Sequence, residues 1–149
     1  MATVRILVDT DVFIDYFNIG RYTEILDDGR LTIYYSVVTR KELLSKPGLK
    51  DSERRAIVAE LRRFRLVPLT PGIARRYAAV RRSTSGLERE DALIAATALE
   101  KRLPLLTGNW RHFVSSPGSG VTLDATGRTT YRGACTSRGS RPVSRVNER

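Results

Sequence analysis

The amino-acid sequence predicts an α/β domain built on a mainly parallel sheet covered by helices on both faces. Short apolar runs rich in β-branched residues alternate along the chain with segments whose apolar side chains recur at helical spacing. Each run also ends at a polar or turn-forming residue, so every junction carries a start or stop signal. A strand that is followed by a helix and then another strand returns in the same direction, which makes the sheet parallel and buries both of its faces. At 149 residues the chain suffices for one ordinary core and not for two.

The elements follow in order. Residues 3 to 9 read as a buried strand ending at Asp9. Asp11 to Phe17 place Val12, Phe13, Tyr16 and Phe17 on one helical side, and Asn18-Ile19-Gly20 stops that helix. Tyr22 to Leu26 form a short second helix before Asp27-Asp28-Gly29, and Leu31 to Tyr35 a second strand. Ser36 is suited to cap a helix through Leu44, with Val37, Val38 and Leu44 inward, ended by Lys46-Pro47-Gly48. Ser52 to Phe64 is amphipathic, with Ile57, Val58, Leu61 and Phe64 at core spacing and Arg54, Arg55, Arg62 and Arg63 outside. Arg65 to Leu69 make a strand, Pro71 opens a helix to about Arg82, Asp91 to Lys101 make an Ala-rich helix, and Leu103 to Thr107 a last strand. From Ser115 onward, eighteen of thirty-five residues are Gly, Ser, Thr or Pro, which leaves little to bury. Val121 to Leu123 could add an edge strand, and residues 125–149 read as a disordered tail beyond a domain of residues 1–124.

The formal net charge of +10 points to an anionic partner, nucleic acid or an acidic protein. Six arginines beyond residue 115 inflate it, yet the remainder is still basic. Cys135 stands alone and cannot form an internal disulfide, so a reducing compartment, the cytoplasm, is expected. One Cys and His112 cannot build a zinc site, and a single His gives little support to a histidine-based triad. No secretory leader is expected, nor a membrane span, because no apolar run approaches the roughly 20 residues that spanning needs.

Against that basic background, acids stand where elements start or end: Asp9 after the first strand, Glu42 in the third helix, Glu88 and Asp91 before the Ala-rich helix. Asn109 follows the last strand. In open parallel sheets the ligand crevice lies outside the carboxyl ends of the strands, and acids gathered there suit a hard divalent cation. Each has a plainer reading. Asp9 and Asp11 can cap the first helix, and for Asp11 the cap is favoured. Glu42 can pair with Arg40 or Lys41, or box with Thr39. Asp91 shares a helical face with Ala95, Ala98 and Leu99, which aims it inward or at a cleft, although an acid there also favours the helix dipole. Trp110 and Phe113 read as core or lid residues, and the arginine pairs 54/55, 62/63, 75/76 and 81/82 as solvated helix faces.

Taken together, Asp9-Thr10-Asp11-Val12-Phe13-Ile14-Asp15-Tyr16, Ser36-Val37-Val38-Thr39-Arg40-Lys41-Glu42-Leu43, Asp91-Ala92-Leu93-Ile94-Ala95-Ala96-Thr97-Ala98 and Leu106-Thr107-Gly108-Asn109-Trp110-Arg111-His112-Phe113 resemble a PIN domain. The resemblance covers about residues 3 to 123 and is nearest to the VapC-type toxins of toxin–antitoxin pairs. It implies a three-layer α/β/α PIN-like fold with a central, mainly parallel sheet of four or five strands. It also implies a Mg²⁺- or Mn²⁺-dependent endoribonuclease, usually dimeric and silenced by a cognate antitoxin. Asp9, Glu42 and Asp91 match the family's metal-binding acids, and Thr10 and Thr107 beside them are expected to position substrate. Many members carry Asp in the fourth block, where this chain has Asn109, an amide able to hold the metal through a water. Two other functions are weighed. Asp9-Thr10-Asp11-Val12 also fits the opening motif of haloacid dehalogenase-like phosphatases, with Asp9 as nucleophile, although their later lysine and acidic pair are missing. A basic RNA-binding module without catalysis would follow if Asn109 abolished hydrolysis.

Overall fold

The structure is a computed structural model that describes residues 4–84, 86–109, 121–123 and 129–131. The central sheet has four strands, β1 (Val4–Val8), β2 (Leu31–Ser36), β3 (Arg65–Val67) and β4 (Leu105–Leu106), in the order β3-β2-β1-β4. All three pairings are parallel, with Leu7 opposite Tyr34, Ser36 opposite Val67 and Val8 opposite Leu106. Helices α1 (Thr10–Ile19), α2 (Thr23–Leu26), α3 (Val37–Leu44) and α4 (Asp51–Leu61) are inserted between β1 and β3, and α5 (Pro71–Ser83) and α6 (Arg89–Lys101) between β3 and β4.

Alternation along the strands divides the core in two. Leu7 and Leu105 face one cluster with Val38, Val67, Ile73, Val80 and the small-residue side of α6, formed by Ala92, Ala95, Ala96 and Ala98. Ile6, Val8, Ile33 and Tyr35 face the other, with Val12, Phe13, Ile25, Leu26, Leu43, Leu61 and Phe64. Successive strand residues point to opposite faces, so one central sheet needs two helical layers to cover it. This is the three-layer α/β/α arrangement that the sequence predicts. Phe13 centres the second layer, fully buried, with ring centroids of Phe17, Tyr35 and Phe64 at 6.0, 6.0 and 5.5 Å.

Three local expectations are corrected. Leu43, not Leu44, is the buried leucine of α3, because the helix starts at Val37 and turns position 43 under Val38 and Thr39. Phe64 lies beyond the end of α4 at Leu61 and reaches the core from the connection into β3. β5 (Val121–Leu123) does not extend the central sheet; it pairs antiparallel with β6 (Thr129–Tyr131), a strand inside the segment that the sequence assigns to a tail. Trp110, His112, Phe113 and Cys135, and most of the segment 125–149, lie outside the described residues.

The topology fixes where a site can form. From β1 the chain proceeds outward through β2 to β3, then crosses back to place β4 on the other flank of β1. The strand order therefore reverses between β1 and β4, and the crevice belongs at their carboxyl ends. α1 and α3 begin at that rim because each follows its strand directly. α6 begins there because it runs back against the strands before β4.

Candidate metal centre at the carboxyl rim

Asp9 follows β1 at the switch point and is almost fully buried, with 3% of its surface exposed. Its Oδ1 accepts the Thr10 backbone N–H at 2.7 Å, which caps α1. Its Oδ2 accepts the hydroxyl of Thr107 at 2.7 Å, from the end of β4. The reading of Asp9 as a cap is realised, and the same side chain stands at the rim through Thr107. Burial, then the negative charge of Asp11, push its carboxyl up from 3.8 to about 8, against the lowering effect of the Thr107 and Thr10 hydrogen bonds.

Asp11 does not cap the helix. Its side chain turns across the rim, where Oδ2 accepts the Gly108 N–H at 2.9 Å. Its Oδ1 is buried and, among the described residues, has no hydrogen-bond partner of good geometry. Burial raises this carboxyl too, offset by its contacts with Asp9 and with the Gly108 and Val12 amides. A side chain on Gly108 would displace the Asp11 carboxylate: a Cβ there would lie 2.5 Å from Asp11 Oδ2 and 3.5 Å from the Tyr22 hydroxyl. Tyr22 holds a left-handed φ of 64°, and burial followed by the Asp11 charge raises its phenol. A non-glycine residue in that region is uncommon and stores strain, as residues beside functional sites often do.

Glu42 stands across the rim on α3. Ser36 caps that helix by accepting the Thr39 N–H at 3.2 Å, so Glu42 is not used in a capping box. The buried Thr10 hydroxyl lies 3.0 Å from that of Thr39 and 3.3 Å from Glu42 Oε1, which ties α1 to α3. Partial burial raises the Glu42 carboxyl; Thr10 lowers it, and the charges of Asp91 and Glu90 raise it further. Asp91, half-buried in the first turn of α6, is therefore near enough to Glu42 to be felt. Asn109 is exposed, with its N–H donated to the Thr107 hydroxyl at 3.0 Å.

The rim thus holds two groups of acids, Asp9 beside Asp11 and Glu42 within range of the Asp91 charge, joined through Thr10. Among the described residues no three such donors surround a single point closely enough to cage an ion by themselves. Thr10 and Thr107 are buried, and each hydroxyl is engaged with a carboxylate. The chemistry of the set still suits a hard cation: the donors are all oxygens, they repel one another, and one buried carboxylate oxygen is left without a partner. Sequence reasoning passed over Asp11, Tyr22 and Gly108 as site residues. A signal for Asp11 was present, because Asp9 alone suffices to cap α1 and a second acid two residues on is not needed for the cap.

A four-stranded parallel sheet under two helical layers, with acids at the switch point, makes this an α/β/α protein whose candidate site lies outside the carboxyl ends of its strands. A family profile described as PIN domain matches residues 6–115, and the chain belongs to that family. It is 38% identical over 117 residues to Ribonuclease VapC10 of Mycobacterium tuberculosis, an alignment covering 72% of this chain and 85% of that protein. Among solved structures it is similar to a toxin–antitoxin complex from Klebsiella pneumoniae, with a TM-score of 0.65 and 30% identity over 76% of this chain and 93% of that one. The fold also matches VapBC2 from Rickettsia felis, solved bound to a DNA fragment from its promoter, with a TM-score of 0.67, 21% identity, and coverage of 76% and 94% of the two chains.

Membership of the PIN family removes the phosphatase alternative. Asp9 also has both carboxyl oxygens committed to hydrogen bonds, a poor state for a nucleophile.

Proposed function

We propose that this chain is the toxin of a toxin–antitoxin pair, an endoribonuclease that hydrolyses RNA phosphodiester bonds with a divalent cation, Mg²⁺ or Mn²⁺. Asp9, Glu42 and Asp91 would hold the cation, with Asn109 contributing through a water. One observation carries the reading: a buried carboxylate, Asp9, is fixed by donors from both α1 and β4 at the point where the strand order reverses. Acids are costly to crowd there, and a cation repays that cost. The likeness to Ribonuclease VapC10 supports RNA as substrate.

In this reading each residue has a part. The Thr107 hydroxyl and the Thr10 N–H orient Asp9. The Thr10 hydroxyl holds Glu42 at the opposite lip, and Asp91 is set there by the start of α6. When bound, the cation would supply a water of lowered pKa and neutralise charge building on the phosphate oxygens. The chain's excess of basic residues would draw the RNA backbone toward the rim.

We assign the nuclease domain to residues 1–124, with 125–149 as an appended segment. No helix among the described residues is long and apolar enough to cross a membrane, and we place the protein in the cytoplasm as a homodimer bound by a cognate antitoxin. The antitoxin would seat on the α1–α2 side, where Ile14 and Ile19 are 43% and 71% exposed.

The test is cleavage of RNA by the purified chain with added Mg²⁺ or Mn²⁺. Asp91→Asn should lose cleavage while keeping its circular dichroism spectrum. RNA binding that survives chelation, without cutting at any metal concentration, would instead identify a binding module.

A further inference from the structure

We propose that Asp11 is a direct ligand of the rim cation and supplies the fourth carboxylate that Asn109 does not. The inference rests on the metal-dependent reading above and concerns which residues complete its donor set.

An acid in the first turn of a helix ordinarily serves the cap or the dipole, and α1 is already capped by Asp9 Oδ1 on the Thr10 N–H. Asp11 instead leaves the helix and reaches a residue ninety-seven positions away, holding the Gly108 N–H with Oδ2. Only a glycine permits this, since a Cβ at 108 would overlap the same oxygen. The contact uses one oxygen. The other, Oδ1, is buried and has no hydrogen-bond partner of good geometry among the described residues, its neighbours being the Val12 amide and the carboxyl of Asp9, an arrangement that a cation would improve. Asp9 lies within hydrogen-bonding reach of Asp11, and its buried carboxylate is the acid most firmly held at the rim.

The charge count points the same way. Asp9, Glu42 and Asp91 give three negative charges, and an amide at 109 adds none. Asp11 restores the fourth, from α1 rather than from the loop after β4. Asn109 itself is exposed and tied through its backbone to Thr107, while Asp11 is partly buried and holds the Gly108 N–H. Asp11 thus places a carboxylate on the β1 side of the β1–β4 switch point.

The experiment is calorimetric titration of the full chain with Mn²⁺, comparing the unmodified protein with Asp9→Asn, Asp11→Asn, and Asp11→Asn combined with Asn109→Asp. Asparagine at 11 keeps an oxygen for the Gly108 N–H, so the loop after β4 is retained and circular dichroism checks the fold. Asp11→Asn is expected to weaken Mn²⁺ by at least the ~10–100-fold that follows loss of even an outer-shell partner, and Asn109→Asp in that background is expected to recover most of it. If Asp11 only clamps the loop, Asp11→Asn will bind Mn²⁺ as tightly as the unmodified chain, or more tightly, while Asp9→Asn loses binding. That result overturns the assignment of Asp11 and leaves the metal site standing. Cleavage of RNA by an unmodified chain that takes up no Mn²⁺ or Mg²⁺ would overturn both.

Discussion

The two ends of α1 show opposite uses of charge. Near its C-terminal end, Tyr16 donates its hydroxyl to Asp27 at 2.6 Å, Asp27 pairs with Arg63 at 2.8 Å, and Arg63 also pairs with Glu60 at 2.7 Å and lies 5.4 Å from the centre of the Phe64 ring. Every charge there has an opposite one beside it. The Asp27 carboxyl is accordingly held below its usual range, chiefly by the Tyr16 and Arg63 hydrogen bonds, and the Arg63 guanidinium is raised, first by Asp27. At the N-terminal end, Asp9, Asp11 and Glu42 all have raised carboxyls, burial being the largest cause in each. The same helix is thus fastened to its surroundings at one end and strained by like charges at the other. The strained end is the one at the sheet's carboxyl rim, where a ligand can relieve it.

Replacing Asp9 should give the largest effect. Asp9→Asn should lower RNA cleavage about 100-fold or more, in keeping with loss of a metal ligand, yet stabilise the metal-free fold above neutral pH. The sign follows from linkage. A folded carboxyl at about 8 against 3.8 unfolded gives stability that is complete below about pH 4 and is lost as pH rises through about 8. The metal-free protein should therefore lose melting temperature across that window, and Asp9→Asn should lose less of it, since the raised Asp11 and Glu42 carboxyls remain. At pH 8 and above the variant should melt higher, at ~2–4 °C for each kcal/mol recovered. A melting curve in EDTA at several pH values checks this, and a variant less stable throughout would show that Asp9 contributes as a cap before anything else.

Thr107→Val separates positioning from charge. It removes the donor to Asp9 Oδ2 while keeping side-chain volume. Mn²⁺ affinity measured by titration should fall about tenfold, as expected for loss of an orienting partner; an unchanged affinity would mean that Thr10 alone holds Asp9.

The smallest effect belongs to the paired end. Arg63→Ala removes three polar contacts, but the guanidinium is 46% exposed, and exposed pairs contribute roughly 1 kcal/mol or less. Its melting temperature should fall by a few degrees with RNA cleavage unchanged. The pH dependence runs opposite to that of Asp9: the Asp27 contribution is present at neutral pH and is lost as the carboxyl protonates in acid. A matching loss of cleavage in Arg63→Ala would break the contrast, by showing that the two ends of α1 are coupled.

Much of the fold was legible in the sequence because it depends on local patterns. The apolar run through Ile6, Leu7 and Val8 marked a buried strand, and all three side chains are buried. Ser36 marked one helix start, and its hydroxyl accepts the Thr39 N–H as expected; Pro71 marked another, where the structure adds a cap from Thr70 to the Ile73 N–H. Gly20 marked the end of α1 and takes a left-handed φ of 70° there. Phe64 was misplaced because spacing alone continues a helix that Leu61 actually ends. β5 was misassigned because three residues do not specify their partner, and pairing with Thr129–Tyr131 was decided by a strand too short and polar to recognise.

The sequence by itself determined the kind of molecule: strands and helices in alternation, one core, a basic surface, and acids placed at element boundaries. Those features are short-range, set by side-chain period and cap chemistry. Only the tertiary structure decided which acids meet. Asp9 and Thr107 are brought together because β4 pairs with β1, and Asp11 faces Gly108 because the strand order reverses at that point. Such contacts join residues nearly a hundred positions apart, and no local preference in either segment encodes its partner; the parallel register does.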